Sequence, residues 1–434
     1  MFNRIVQALT SVAVVVAMGT TSSALAQAPA KQKQAKDAAE VELFKESSPQ
    51  TAPDPNKRLA ALNTWKEKYP ETDYKLERAL FYALTYQALN QPVKMFEAAN
   101  EVLSIDPKEI NALGWVTALT ESVPPTAENL SASEKAAQSL LQAQKPDAVD
   151  AATWNNMQSS FTGIAHKTLG FIANQRKQPD LAEQAYTKSL QANPNQSLVS
   201  WSLANAILAQ KKPERQSEVL YHWARATSLS GAAALPAPLL KQYDAYFVKQ
   251  YSTFHGKNDA DLKELRQLAV AQPMPPAGFT IKDVNQIEAD KDAAATAADP
   301  QLALWNKLND GLKADSGQQY FESSVKDAAL PGGAGGVTRF RGKLIEMKPA
   351  VRPKELIVDM NDDGTPDATL KFETALPGKA DPGTVIQFEG VASAFTKEPF
   401  MLTFDVEGKE KIAGWPAPSA PAAVKKASAK KGRK

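Results

Sequence analysis

The chain has no cysteine in 434 residues. That excludes disulfides, thiolate metal centres, a cysteine nucleophile and the acylated cysteine of a lipoprotein. Histidine is nearly as scarce: His166, His222 and His255 are the whole complement, too few for a multi-histidine metal centre. No H-E-x-x-H, G-x-S-x-G or G-x-x-x-x-G-K-[ST] string occurs, so the common signatures of metalloproteases, serine hydrolases and P-loop enzymes are missing. The glycines around Gly333 lack the strand before and the helix after that a dinucleotide site needs. Beyond the first two dozen residues there is also no apolar run long enough to span a bilayer. These absences argue against an enzyme and against a membrane span in the processed protein.

Three features at the chain ends and in the charge distribution are informative. Arg4 precedes a largely apolar stretch from Ile5 to Met18, and Ala24-Leu25-Ala26 forms an A-x-A site before Gln27. This predicts a secretory signal peptide over 1–26 and an exported product, periplasmic or secreted. The formal net charge of +2 comes from the ends, because Lys425, Lys426, Lys430, Lys431, Arg433 and Lys434 crowd the last ten positions. The body between is mildly acidic. Segments 27–39 (Ala, Gln and Lys) and 416–434 (Pro and Ala, then Lys) are of low complexity and are expected to form a linker and a disordered basic tail. Such a tail would attract anionic envelope polymers.

The middle of the chain is built from amphipathic pairs. Gly163 to Asn195 reads as two helices with a turn at Gln178-Pro179-Asp180. Small residues at Gly170 and Ala182 would let the helices approach, with Leu169 and Tyr186 filling the space beside them and Pro194 closing the unit. Tyr74 to Pro107 repeats the pattern more loosely, with Tyr82, Ala83 and Tyr86 on its first helix and Ala99 and Val102 on its second. Leu59 to Pro70 resembles the second half of an earlier unit. Ser197 to Leu229 and Pro236 to Ala271 continue the series, while Glu121 to Asp150 reads as a degenerate unit with insertions. These units resemble tetratricopeptide repeats, modules of about 34 residues. The resemblance spans 40–271 and implies an α-solenoid whose first helices present side chains to a protein or peptide partner.

After Pro273-Met274-Pro275-Pro276 the pattern changes. Segment 272–336 reads as a linker with one helix from Gln301 to Lys313 and a flexible Gly-rich joint at 331–336. From 337 to 415 the hydrophobic period drops to two. Leu356, Val358 and Met360 alternate with polar neighbours, as do Leu370 and Phe372, Ile386 and Phe388, and Phe400, Leu402, Phe404 and Val406. This predicts a small antiparallel β domain, either an OB-like barrel or a sandwich. The fold class is therefore α + β multidomain, a helical solenoid followed by a small β domain.

One loop carries ion-like spacing. Asp359, Asn361, Asp363, Thr365 and Asp367 follow D-x-N-x-D-G-x-x-D, which resembles calcium loops and makes Ca²⁺ a candidate ligand. Leu370 stands where an EF-hand places its bidentate glutamate, and a polar β-turn explains the same residues. Both readings stay open here. Arg339, Phe340, Arg341 and Lys343 share one strand in a pattern that nucleic acid could use, but export argues against that partner. His166 and His222 fall on helix packing faces and His255 near a helix end, so none is expected to be catalytic. The sequence reading is an exported adaptor that binds a protein or peptide in the cell envelope, with no cofactor beyond the candidate calcium. The alternative is a protein that binds glycan or envelope polymer through its β domain.

Overall fold

A computed structural model describes residues 33–147 and 149–417. The chain divides into two compact units at Ile281 and Lys282. The expected signal peptide, residues 27–32 of the low-complexity stretch after it and the lysine-rich end lie outside the described residues. Among those described, no helix is long and apolar enough to cross a membrane.

Among the described residues the first unit contains twelve α-helices: α1 (Ala38–Ser47), α2 (Pro55–Lys68), α3 (Lys75–Ala88), α4 (Pro92–Ile105), α5 (Ile110–Leu119), α6 (Ala127–Leu141), α7 (Ala151–Gln175), α8 (Pro179–Ala192), α9 (Ser197–Ala209), α10 (Gln216–Ser228), α11 (Ala237–His255) and α12 (Asp259–Ala271). Consecutive helices pack on one another from α1 through α11. Proline opens α2, α4 and α8, where its missing N–H costs nothing. The degenerate stretch expected between Glu121 and Asp150 is a 3₁₀ turn followed by α6. Helix α7 runs for 25 residues and begins well before Gly163, which accounts for the irregular spacing between Pro107 and Pro194. At the far end α10 packs on both α11 and α12.

Three of the turns inside these pairs share one construction. Asn90, Lys177 and Lys211 take left-handed backbone angles, with φ of 54°, 58° and 57°, and each stands two residues before a proline that starts the next helical segment. The N–H of Gln91 reaches the Tyr86 carbonyl and that of Gln178 the Ala173 carbonyl, both at 2.9 Å. These bonds satisfy carbonyls that the ending helix leaves free.

Arg225 is buried and gives its guanidinium N–H groups to the carbonyls of Val270 and Gln272, and to that of Pro194, each at 2.9 Å. No carboxylate is needed there, because the C-terminal end of α12 is itself electronegative. Residues 272–281, expected to begin a linker, instead pack on this unit. Met274, Phe279 and Ile281 join its core, and the Phe279 ring meets Tyr221 edge-on at 5.1 Å.

The second unit opens with α13 (Val284–Ala298), which starts in a capping box between Asp283 and Gln286, and α14 (Pro300–Lys313). Among the described residues eight strands follow: β1 (Ala329–Leu330), β2 (Phe340–Lys348), β3 (Glu355–Asp359), β4 (Ala368–Lys371), β5 (Val385–Phe388), β6 (Gly390–Lys397), β7 (Phe400–Asp405) and β8 (Ile412–Ala413). They form one curled sheet in the order β1-β6-β7-β4-β3-β2-β5-β8. Six of its seven pairings are antiparallel, but β4 and β7 run parallel, with Leu370 opposite Phe404. The expectation of a purely antiparallel domain is corrected to that extent: β5 and β6 intervene in sequence and return the chain in the same direction.

Every inward position expected from the two-residue period is buried, from Leu356 and Val358 to Phe404 and Val406. The expected linker also contributes. Trp305, Leu308 and Leu312 of α14, with Phe321 and Val325, belong to the core of this unit. Trp305 meets the Phe340 ring at 5.7 Å. The reason is that an apolar helix face of that width must be covered. The glycine run is likewise part of the unit. Gly332 has φ of +63°, and a Cβ there would stand 2.8 Å from the Ala329 carbonyl oxygen, so the turn requires glycine.

Candidate functional site

Of the residues expected to close the repeat, Gly170 and Tyr186 meet directly. Tyr186 lies across Gly170, where an added Cβ would come within 2.6 Å of the ring. The direct partner of Gly170 is thus the tyrosine, and Ala182, fully buried, lies in the same core as Tyr186. The Tyr186 hydroxyl accepts from the Asn174 amide at 3.1 Å. Leu169 packs from its other side on the core of the preceding pairs. The Pro194 carbonyl receives Arg225.

Helix packing of this kind leaves the first helices of successive pairs side by side, and the most distinctive surface lies on α9 and α11. Helix α9 carries no charged residue over its 13 positions. Its Trp201 is half-buried and stacks on Tyr243 of α11, with centroids 3.9 Å apart and planes 13° from parallel. Tyr246 of α11 meets Trp201 and Trp223 edge-on at 6.0 and 5.2 Å while remaining 42% exposed. Leu208 of α9 is 40% exposed. Trp223 is buried and donates its indole N–H to Asn205 at 3.2 Å. Locked rings of this kind present apolar area at little cost in ordering entropy, because packing has already fixed them. Sequence reasoning did not bring Trp201, Tyr243 and Tyr246 together; the i, i+3 spacing of the two tyrosines was the available signal.

Solved structures with similar chains include the MamA protein, at a TM-score of 0.32 and 15% identity over 43% of this chain and 89% of that one. They also include pilF of Pseudomonas aeruginosa, at 0.28 and 17% over 53% and 97%. A third is a thermophilic TPR protein of Thermus thermophilus, at 0.23 and 15% over 49% and 98%. Neither a family profile nor a curated protein matches the chain. The helical unit is tetratricopeptide-like. That rests on the stacked pairs, the Gly170–Tyr186 contact and the shared turns before Pro92, Pro179 and Pro213.

The three histidines stand on three different helices, α7, α10 and α11. His222 is fully buried, and burial, with Arg225 nearby, pushes its imidazole down to about 3. His166 is shifted down as well, first by burial and then by Lys188. His255 meets Asp261 at 2.8 Å on the helix pair α11–α12.

The acidic loop of the second unit folds in on itself. Asp359 is buried; one carboxylate oxygen accepts the N–H groups of Asn361 at 3.0 Å and Asp362 at 2.8 Å, the other that of Gly364 at 2.7 Å. Asp367, also buried, accepts from the Met360 N–H and the Asn361 amide. Burial raises its pKa, with further contributions from Asp363 and Asp359. Asp363 caps the Thr365 N–H at 2.8 Å. Among the described residues no group of three or more His, Cys, Asp or Glu is placed to hold a metal ion. The basic strand is divided by its pleat: Phe340 points into the core, Arg341 pairs with Asp299 and Lys343 with Asp362.

Proposed function

We propose that the chain is an exported scaffold that binds a protein or peptide partner along the first helices of its solenoid, at the surface formed by Trp201, Tyr243, Tyr246 and Leu208. The observation that carries this reading is the pre-packed, partly exposed aromatic group beside an uncharged helix. Rigid aromatic anchors of this type dominate binding energy at protein interfaces. The mature protein should capture a partner from the cell envelope fraction. Tyr246→Ala and Leu208→Ala together should weaken that capture at least tenfold, about 1.4 kcal/mol or more, with unfolding unchanged. Equal capture by native and variant would place the contact elsewhere. Export itself is tested by N-terminal sequencing of the product, which should begin at Gln27.

In this reading the curled sheet is an OB-like barrel. Support comes from β5 and β6, which only Glu389 separates: the first pairs with β2 and the second with β7. A single bent strand would then close the sheet upon itself. The acidic loop serves as a self-capped turn, because the inward oxygens of Asp359 and Asp367 already accept N–H groups. No catalytic step is assigned to either unit.

A further inference from the structure

We propose that a cleft at the end of the parallel pair β4–β7 holds the lysine-rich segment 418–434 of this same chain as an intramolecular ligand. The cleft has a volume of about 830 Å³ and is built from 371–376 and 405–410. Phe372, Leu376 and Val406, all buried, line its interior. Charged, exposed side chains surround them. Lys371 stands opposite Asp405 in the strand register, leaving Glu373, Glu407 and Glu410 against Lys409 alone. An apolar floor with an excess of carboxylates suits lysine, whose four-carbon stem packs on apolar surface while its ammonium stays with the anions.

The choice of occupant rests on position, reach and charge. Trp415 packs on the core of this unit and donates its indole N–H to the Pro377 carbonyl at 2.8 Å. Pro377 directly follows Leu376 of the cleft, so the chain is anchored beside it just before segment 418–434 begins. Lys425 is eight residues beyond Ala417, a reach of up to roughly 26 Å. Lys425 and Lys426, then Lys430 and Lys431, repeat the cationic pair. A tether this short gives an effective concentration on the order of 1 mM, so individually weak contacts suffice for occupancy.

The test uses the full chain, a chain ending at Ala417, and a labelled synthetic peptide of residues 418–434 followed by fluorescence anisotropy. The shortened chain should bind the peptide, and raising salt from about 50 to 300 mM should weaken binding at least fivefold, because exposed charges are screened. Glu373→Gln, Glu407→Gln and Glu410→Gln together should weaken it at least tenfold. The same number of neutralisations at Glu322, Asp327 and Glu398, outside the cleft, should leave it within twofold. The full chain should bind the peptide at least tenfold more weakly than the shortened chain, because its own segment competes. Equal affinity of the two chains, or indifference to the cleft substitutions, overturns the proposal. A circular dichroism melt of each variant confirms that the fold is intact.

Discussion

Gly163 and Gly170 lie on the same helix, seven residues apart, yet the same substitution should act on them in opposite directions. A Cβ at Gly170 would press into the Tyr186 ring, whereas at Gly163 the nearest atom is the Asn193 Cβ at 3.4 Å, an ordinary contact. Gly170→Ala should cost on the order of 1–3 kcal/mol through overpacking. Gly163→Ala should gain roughly 0.5–1 kcal/mol, because glycine is the poorer helix former. Urea unfolding of the two variants measures both signs. His222 supplies a second prediction at this scale. Its pKa is depressed to about 3 in the fold against about 6.5 in an unfolded chain. The unfolded state therefore takes up a proton first as pH falls, and stability is lost below pH 6.5 by up to about 1.4 kcal/mol per pH unit. His222→Gln should make the pH dependence between 7.5 and 5 shallower. A slope unchanged by the substitution would mean that His222 titrates normally in the fold.

At the scale of elements, the repeat turns and the acidic loop show what local sequence can and cannot say. Asn90-Gln91-Pro92, Lys177-Gln178-Pro179 and Lys211-Lys212-Pro213 are legible as a recurring word once the φ angles are known, and the last two are 34 residues apart. The lysines hide the pattern, because glycine is the usual residue in a left-handed helix end. The acidic loop was legible as a turn or as an ion site, since both use the same residue types. What separates the readings is where the lone pairs point. Asp359→Ala should destabilise the second unit by about 1–3 kcal/mol, as it strands three N–H groups in a half-buried loop. Millimolar Ca²⁺ should leave its melting temperature unchanged relative to chelator. A rise that Asp363→Ala abolishes would instead establish an ion site, since a ligand that binds only the folded state stabilises it.

For the whole molecule, the boundary between units is the testable quantity. The sequence placed the start of the β domain at 337, just after the glycine run. The core of that unit reaches back to Trp305, Leu308, Leu312, Phe321 and Val325. A fragment beginning at Lys282 should therefore fold and unfold cooperatively. One beginning at Gly332 should not, because it would expose the apolar face that Trp305 covers against Phe340 and Phe404. Near-ultraviolet circular dichroism distinguishes a packed fragment from a collapsed one.

Periodicity alone determined the principal helical pairs of the first unit, the strands of the second unit from β2 onward and the residues of each that face inward. Amphipathic spacing is a local property, and Leu356, Val358, Leu370, Phe388 and Phe404 had no other face to occupy. Only the tertiary structure decided which elements share a core, because an apolar face specifies that it must be covered and not by what. That is why α14 was read as part of a linker, why the parallel pairing of β4 with β7 went unseen, and why Trp201 was not linked to the tyrosines of α11. The stacking of those rings depends on contacts some forty residues apart in sequence, and the i, i+3 spacing of Tyr243 and Tyr246 marks a shared helix face without naming what it meets.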